Sequence, residues 1–293
     1  MEKIIQTRDN IQTTRNTQPE QWPVCLSACL LPSLDEAELT QCSAAGIDGL
    51  EILLFRHGME TLSLTDIGVF CTSLKQRLQN AGLKAASIHL PFGWEWDVSD
   101  LDRSSRQKII QNQIGLIEQA AVLEPQQAVI HPSYEPLDGA QRPDRILACR
   151  ESLEILAASS ARMGIRIAAE CLPRTCLGNT AGEIMMLVDG LANVSICCDV
   201  NHLLQETPQD FIRQVGSRIT TTHISDYDNI NERHWLPGLG IIDWPEVISA
   251  LSATGYEGPF LYEVSQVNGT ITPAVIAGNW RDLQAAWLQR SKK

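Results

Sequence analysis

The chain has 293 residues, a hydrophobic fraction of 44% and a formal net charge of −12. That length suits one large α/β domain or two small ones, with ample apolar content for a core. The acidic balance argues against a protein that lives on phosphate backbones, and no window approaches the ~20 apolar residues of a membrane span, so neither a nucleic-acid nor a membrane partner is expected.

Residues 1–21 are polar and lack apolar periodicity, which predicts a flexible N-terminal extension. The opening MEKIIQTRDN has neither the apolar centre nor the small-residue cleavage site of a signal peptide. Nine cysteines without a framework spacing, including adjacent Cys197 and Cys198 in an apolar run, suggest buried, reduced thiols and a cytoplasmic location.

From Trp22 the punctuation becomes regular. Val24–Leu30 reads as a first strand, followed by a helix over Asp35–Ala45 with Ser33 as its cap. Gly49–Leu54 is a second strand containing Glu51, and a helix over Asp66–Asn80 stops at Gly82. Ala85–Leu90, a third strand holding His89, leads into Phe92, Trp94 and Trp96, then a long helix over Asp102–Ala121. Gln127–Ile130 is a fourth strand ending at His131, with a helix over Arg145–Met163. Ile165–Ala169 ends on Glu170 and is followed by a short helix, Ala181–Val188. Val194–Cys198 ends on Asp199, with His202 just beyond and a brief helix over Asp210–Gly216. Ile219–His223 is the seventh strand. A polar loop carrying Asp226, Glu232, Arg233 and His234 then passes through Pro237-Gly238-Leu239-Gly240, read as a turn. A helix over Trp244–Thr254, an eighth strand from Pro259 to Tyr262 ending on Glu263, and a helix over Pro273–Gln289 complete the pattern.

Strands of four to seven apolar residues alternating eight times with helices predict an α/β protein with a single (β/α)8 TIM barrel, its catalytic domain spanning residues 22–293. A doubly wound open sheet is the competing architecture, but no G-x-G-x-x-G turn follows the first strand. Five of the six histidines, His89, His131, His202, His223 and His234, fall at or beyond strand ends, and so do Glu170, Asp199 and Glu263. A closed barrel gathers all eight strand ends at one mouth. That many ligand-competent groups would suffer like-charge strain unless a cation sat among them.

These residues resemble the xylose-isomerase-like barrel superfamily of sugar isomerases and epimerases, which includes ketose 3-epimerases, inosose dehydratases and apurinic-site endonucleases. The motifs are Glu170 on the fifth strand, D-x-x-H at Asp199–His202, H-x-S-D at His223–Asp226, R-H-x-x-P-G-x-G at Arg233–Gly240, and Glu263. The resemblance covers nearly everything from Val24 to Glu263. It implies that Glu170, Asp199, His223 and Glu263 ligate one divalent metal ion. Mn²⁺ is the first expectation for this hard donor set, with Mg²⁺, Co²⁺ or Zn²⁺ also fitting. It further implies proton abstraction beside a metal-bound carbonyl of a small keto-sugar or polyol ketone, through an enediolate, with Glu170 and Glu263 as the acid/base pair. His202 and Arg233 would steady substrate oxygens. His89, His131, His234, Trp94 and Trp96 join them as expected substrate-binding residues, the aromatic rings stacking on the apolar face of a sugar or forming a lid or subunit contact. A homo-oligomer is left open.

Three other readings stand beside this one. A lyase acting on a keto-inositol or 3-keto-glycoside begins with the same proton abstraction. The endonuclease branch uses three zinc ions, and every liganding position has a counterpart here, with Glu232 where that branch has aspartate; the acidic balance and the lack of basic, intercalating loops oppose it. A barrel kept only as a scaffold would need a broken ligand set. Glu51 reads as structural, and Cys171 as packing.

Overall fold

The computed structural model describes residues 17–266 and 269–292. Eight strands, β1 (Val24–Ser27), β2 (Gly49–Leu53), β3 (Lys84–His89), β4 (Gln127–Ile130), β5 (Arg166–Glu170), β6 (Val194–Asp199), β7 (Ile219–His223) and β8 (Phe260–Tyr262), alternate with helices. Those helices are α1 (Glu36–Ala45), α2 (Leu64–Ala81), α3 (Arg103–Ala120), α4 (Arg142–Ala161), α5 (Ala181–Val188), α6 (Pro208–Val215), α7 (Trp244–Ala253) and α8 (Pro273–Arg290). All ladder pairs are parallel, in the order β7-β6-β5-β4-β3-β2-β1-β8.

Closure between β7 and β8 comes just past the end of β7. Ile224 N donates to Leu261 O at 2.8 Å, and Glu263 N donates to Ile224 O at 3.0 Å. Below that point the Thr222 hydroxyl donates to Pro259 O at 2.9 Å, so a side chain bridges where the backbone ladder is missing. The chain is thus a (β/α)8 barrel, as its alternating pattern predicts.

Side chains alternate along each strand because the β repeat is two. Outward residues such as Ala128, Ile130, Ile167, Ala169, Ile196 and Cys198 join the apolar shell under the helices. Inward residues stack in layers, as barrel interiors do. Near the bottom, Ser195, Thr220 and Gln127 form a hydrogen-bonded polar layer. Val129, Ala168 and Cys197 form a small apolar layer above it. Glu170, Asp199 and His223 crown the interior at the strands' carboxyl ends. Adjacent Cys197 and Cys198 therefore face opposite sides, and all nine cysteines are free.

Some boundaries differ from expectation for local reasons. The first strand stops at Ser27, not Leu30, because its hydroxyl accepts from Cys29 N and starts a 3-10 turn over Ala28–Leu30. Asp35, not Ser33, caps α1 by accepting from Glu38 N at 2.9 Å; Ser33 instead donates its N–H and O–H to Glu38 Oε2. Gly82, at φ 74°, ends α2 as read. Of the expected extension, residues 1–16 lie outside the described residues. Thr17 packs on the barrel, donating its hydroxyl to Tyr256 O at 2.6 Å and accepting from the Ser252 hydroxyl at 2.6 Å. Among the described residues, no helix is long and apolar enough to cross a membrane.

Candidate metal centre at the barrel mouth

Glu170 ends β5, Asp199 ends β6, His223 ends β7, and Glu263 follows β8 by one residue. Each strand ends on a ligand because the inward position recurs at the same height around a closed barrel. One ligand atom from each of the four lies within 4.8 Å of the others. His223 sits at their centre: its Nδ1 is 3.2 Å from Glu170 Oε1, 3.2 Å from Glu263 Oε2 and 3.8 Å from Asp199 Oδ2. The opposite nitrogen, Nε2, contacts the Glu51 carboxylate at 3.1 Å from Oε1, and Glu51 also accepts from the Ser87 hydroxyl at 2.8 Å. A proton on Nε2 donated to Glu51 leaves Nδ1 free to ligate, which is how a carboxylate fixes a ligand imidazole.

Burial sharpens the electrostatics. It disfavours the imidazolium of His223, but Cys197 and the carboxylates Glu51, Glu263 and Glu170 outweigh it and push the group well above the usual imidazole range. Asp199 is pushed up to about 7, first by burial, then by repulsion from Glu263 and Glu170 against the pull of His202. Burial would also raise Glu170 and Glu263, yet His223 pulls both below the ordinary carboxylate range, aided by His131 for Glu170. Three carboxylates share one small volume.

A divalent ion fits this arrangement. Asp199 Oδ1 accepts from Asn201 N at 2.8 Å, but its Oδ2 is buried without a hydrogen-bond partner. A buried, orphaned carboxylate oxygen is costly unless a cation satisfies it. Three carboxylates and one imidazole are a hard donor set suited to such an ion.

The expected substrate-binding residues divide. Glu170 Oε2 meets His89 Nε2 at 3.2 Å and His131 Nε2 at 3.1 Å, so both histidines wall one side of the site. His202 donates from Nδ1 to Cys171 O at 3.0 Å and presents Nε2 to Glu232 at 3.1 Å. That contact, with Arg174, pulls Glu232 down to about 2 against the opposing effect of burial. His234 lies beside His202, its Nδ1 3.3 Å from Glu263 O; His202, Glu232 and His234 form a second, shallower group with ligand atoms within 4.8 Å of one another. Arg233 turns instead to Asp228 at 2.7 Å and lies over Trp235. Trp94 is 73% exposed, and Trp96 packs against the shell. Among the described residues no ring contact joins either indole to the histidines. Phe92 takes that place, stacked on His131 at 4.1 Å, with Phe55 against both Phe92 and His89.

The loop bearing Glu232–His234 is held by two buried side chains. Asn201 Oδ1 accepts from Arg233 N and His234 N. Asp226 accepts from Tyr227 N, Gly238 N, Ile242 N and the Trp244 indole. Gly240 passes so close that a Cβ would lie 2.2 Å from Tyr227 O, so the Pro-Gly-Leu-Gly turn needs its second glycine for space. Phe55, Asn201 and the pairing of Glu51 escaped the sequence reading, since nothing local marks them.

Comparison with known proteins agrees with this fold. Residues 39–290 match the family described as xylose isomerase-like TIM barrel. D-psicose 3-epimerase of Enterocloster bolteae is 29% identical over 52% of this chain and 51% of its own length. The matched stretches span 66% or less of the three curated relatives. Among solved structures, a D-psicose 3-epimerase crystallised in the presence of D-fructose superposes with a TM-score of 0.73, at 18% identity over 90% of this chain and 97% of that one. The IolI protein with a bound zinc atom superposes at 0.71, with 17% identity over 92% and 98% of the two chains.

Proposed function

Since the chain belongs to the xylose isomerase-like TIM barrel family, we propose that it is a divalent-metal-dependent isomerase or epimerase of a small keto-sugar or polyol ketone. The observation that carries this reading is the convergence of Glu170 and Glu263 on one nitrogen, each 3.2 Å from His223 Nδ1. Two carboxylates flanking one ligand position can act on one substrate carbon from separate directions. The epimerase activity of the E. bolteae relative supports a ketose as substrate.

Glu170, Asp199, His223 and Glu263 would hold the ion, with Mn²⁺ as the proposed metal. When bound, a divalent cation supplies Lewis acidity that makes the C–H beside a ketone easier to ionise. Glu263 is the group nearer the opening: its side chain retains 17% exposure against 1% for Glu170. Glu263 and Glu170 form the proposed acid/base pair, one as carboxylate taking the substrate proton and the other, in its carboxylic acid form, returning one. His89, held between Leu90 O and Glu170, and His131, also anchored on Glu170, wall the pocket on the side of Glu170. Phe92 offers an aromatic face above His131 for the C–H side of a sugar.

The test is proton exchange. Metal-loaded protein is incubated in D₂O with a panel of ketohexoses, ketopentoses and inososes, and deuterium is followed by NMR. The expected result is metal-dependent exchange at the carbon beside the carbonyl, abolished in a folded Glu263→Gln variant. Near-normal activity in that variant overturns the mechanism; loss of water to an enone in place of exchange would make the protein a lyase.

A further inference from the structure

The shallower ligand group at the mouth has a cation of its own already. Arg174, in the segment after β5, donates from Nη1 to Glu232 Oε1 and, at 3.0 Å, to Asn231 Oδ1. From Nε and Nη2 it donates to Glu135 Oε1, the former at 2.8 Å. One guanidinium therefore ties together the segments after β4, β5 and β7. Glu232 passes the connection on to the segment after β6, because its Oε2 lies 3.1 Å from His202 Nε2. Arg174 is itself held in place: its carbonyl accepts from Asn179 Nδ2 at 2.6 Å.

Both oxygens of Glu232 are thus engaged, one by a fixed positive charge. A dication in the group formed by His202, Glu232 and His234 would have to displace the guanidinium or sit against it, and like charges at that range repel strongly. The deeper group differs. No arginine or lysine pairs with Glu170, Asp199 or Glu263 among the described residues, and Asp199 Oδ2 is left unsatisfied. We propose that Arg174 is a built-in substitute for a second metal ion. It closes the His202–Glu232–His234 group to divalent cations and confines metal binding to the deeper set, holding His202 through Glu232. The inference rests on the reading of the deeper set as the resident ion's site.

Metal-stripped native protein, Arg174→Gln, Glu232→Gln and the double variant are equilibrated with Co²⁺, separated from free metal, and counted for bound ion. The visible Co²⁺ absorption reports the ligand sphere, and thermal melts check folding. The expected result is one more ion per chain in Arg174→Gln than in native protein, an extra ion that adding Glu232→Gln removes. An unchanged count in folded Arg174→Gln overturns the proposal. So does a native count that falls on Glu232→Gln, since the shallower group would then already be filled; that arm needs no substitution of Arg174. A native count of zero counts against the deeper site instead, and the difference between Arg174→Gln and native protein still decides this proposal.

Discussion

Glu51 Oε2 lies 3.2 Å from His223 Nε2, within hydrogen-bond reach, inside the barrel and out of reach of solvent. The contact joins β2 to β7 and fixes which imidazole nitrogen faces the three carboxylates. Partners that orient a ligand histidine in this way are worth about 10–100-fold in metal affinity. Glu51→Gln should weaken divalent-ion binding by that order while leaving the ligand count unchanged, as measured by competition with a chromophoric chelator. Unaltered affinity would reduce Glu51 to a packing residue.

Asp226 organises the loop over the site. Its carboxylate accepts from four donors, including the Trp244 indole at the start of α7. Asp226→Ala would orphan those donors at about 1–3 kcal/mol for each one left buried and unsatisfied. A fall in thermal midpoint is expected, and a smaller one for Gly240→Ala, whose new methyl would press on Tyr227 O. Scanning calorimetry on both variants checks it; unchanged midpoints would mean that the loop closes without them.

Phe92 and Trp94 stand two residues apart, yet only Phe92 stacks on His131. Phe92→Ala should raise KM for the substrate by roughly 5–10-fold if it loses an aromatic contact of about 1 kcal/mol, whereas Trp94→Ala should leave KM near the native value. Steady-state kinetics on the two variants separates them. The reverse order would restore the tryptophan to the pocket.

Much of this was legible in the sequence because a barrel repeats one rule. The last inward-facing positions of the strands share one rim, so Glu170, Asp199, His223 and Glu263 stood out among the strand-end candidates, and the family resemblance singled out these four as ligands. What stayed hidden depends on partners distant in sequence. Glu51 and His223 are 172 residues apart, and nothing near Glu51 announces an imidazole. Arg174 lies 58 residues from Glu232. Arg233, expected at the substrate, pairs with the nearby carboxylate of Asp228, a partner five residues away that the motif does not mark. The aromatic loop after β3 carries three large rings, and only its fold decides that the first faces the histidines.

The central claim is that Glu170, Asp199, His223 and Glu263 hold one divalent cation, and titrating metal-stripped protein with Mn²⁺ in a calorimeter tests it most directly. Saturable binding is predicted, with thermal stabilisation of about 2.7 kcal/mol when free metal stands 100-fold above Kd. Both should be lost in Asp199→Asn, whose buried Oδ2 is the orphaned atom. Absence of binding, or binding indifferent to Asp199→Asn, would contradict the account.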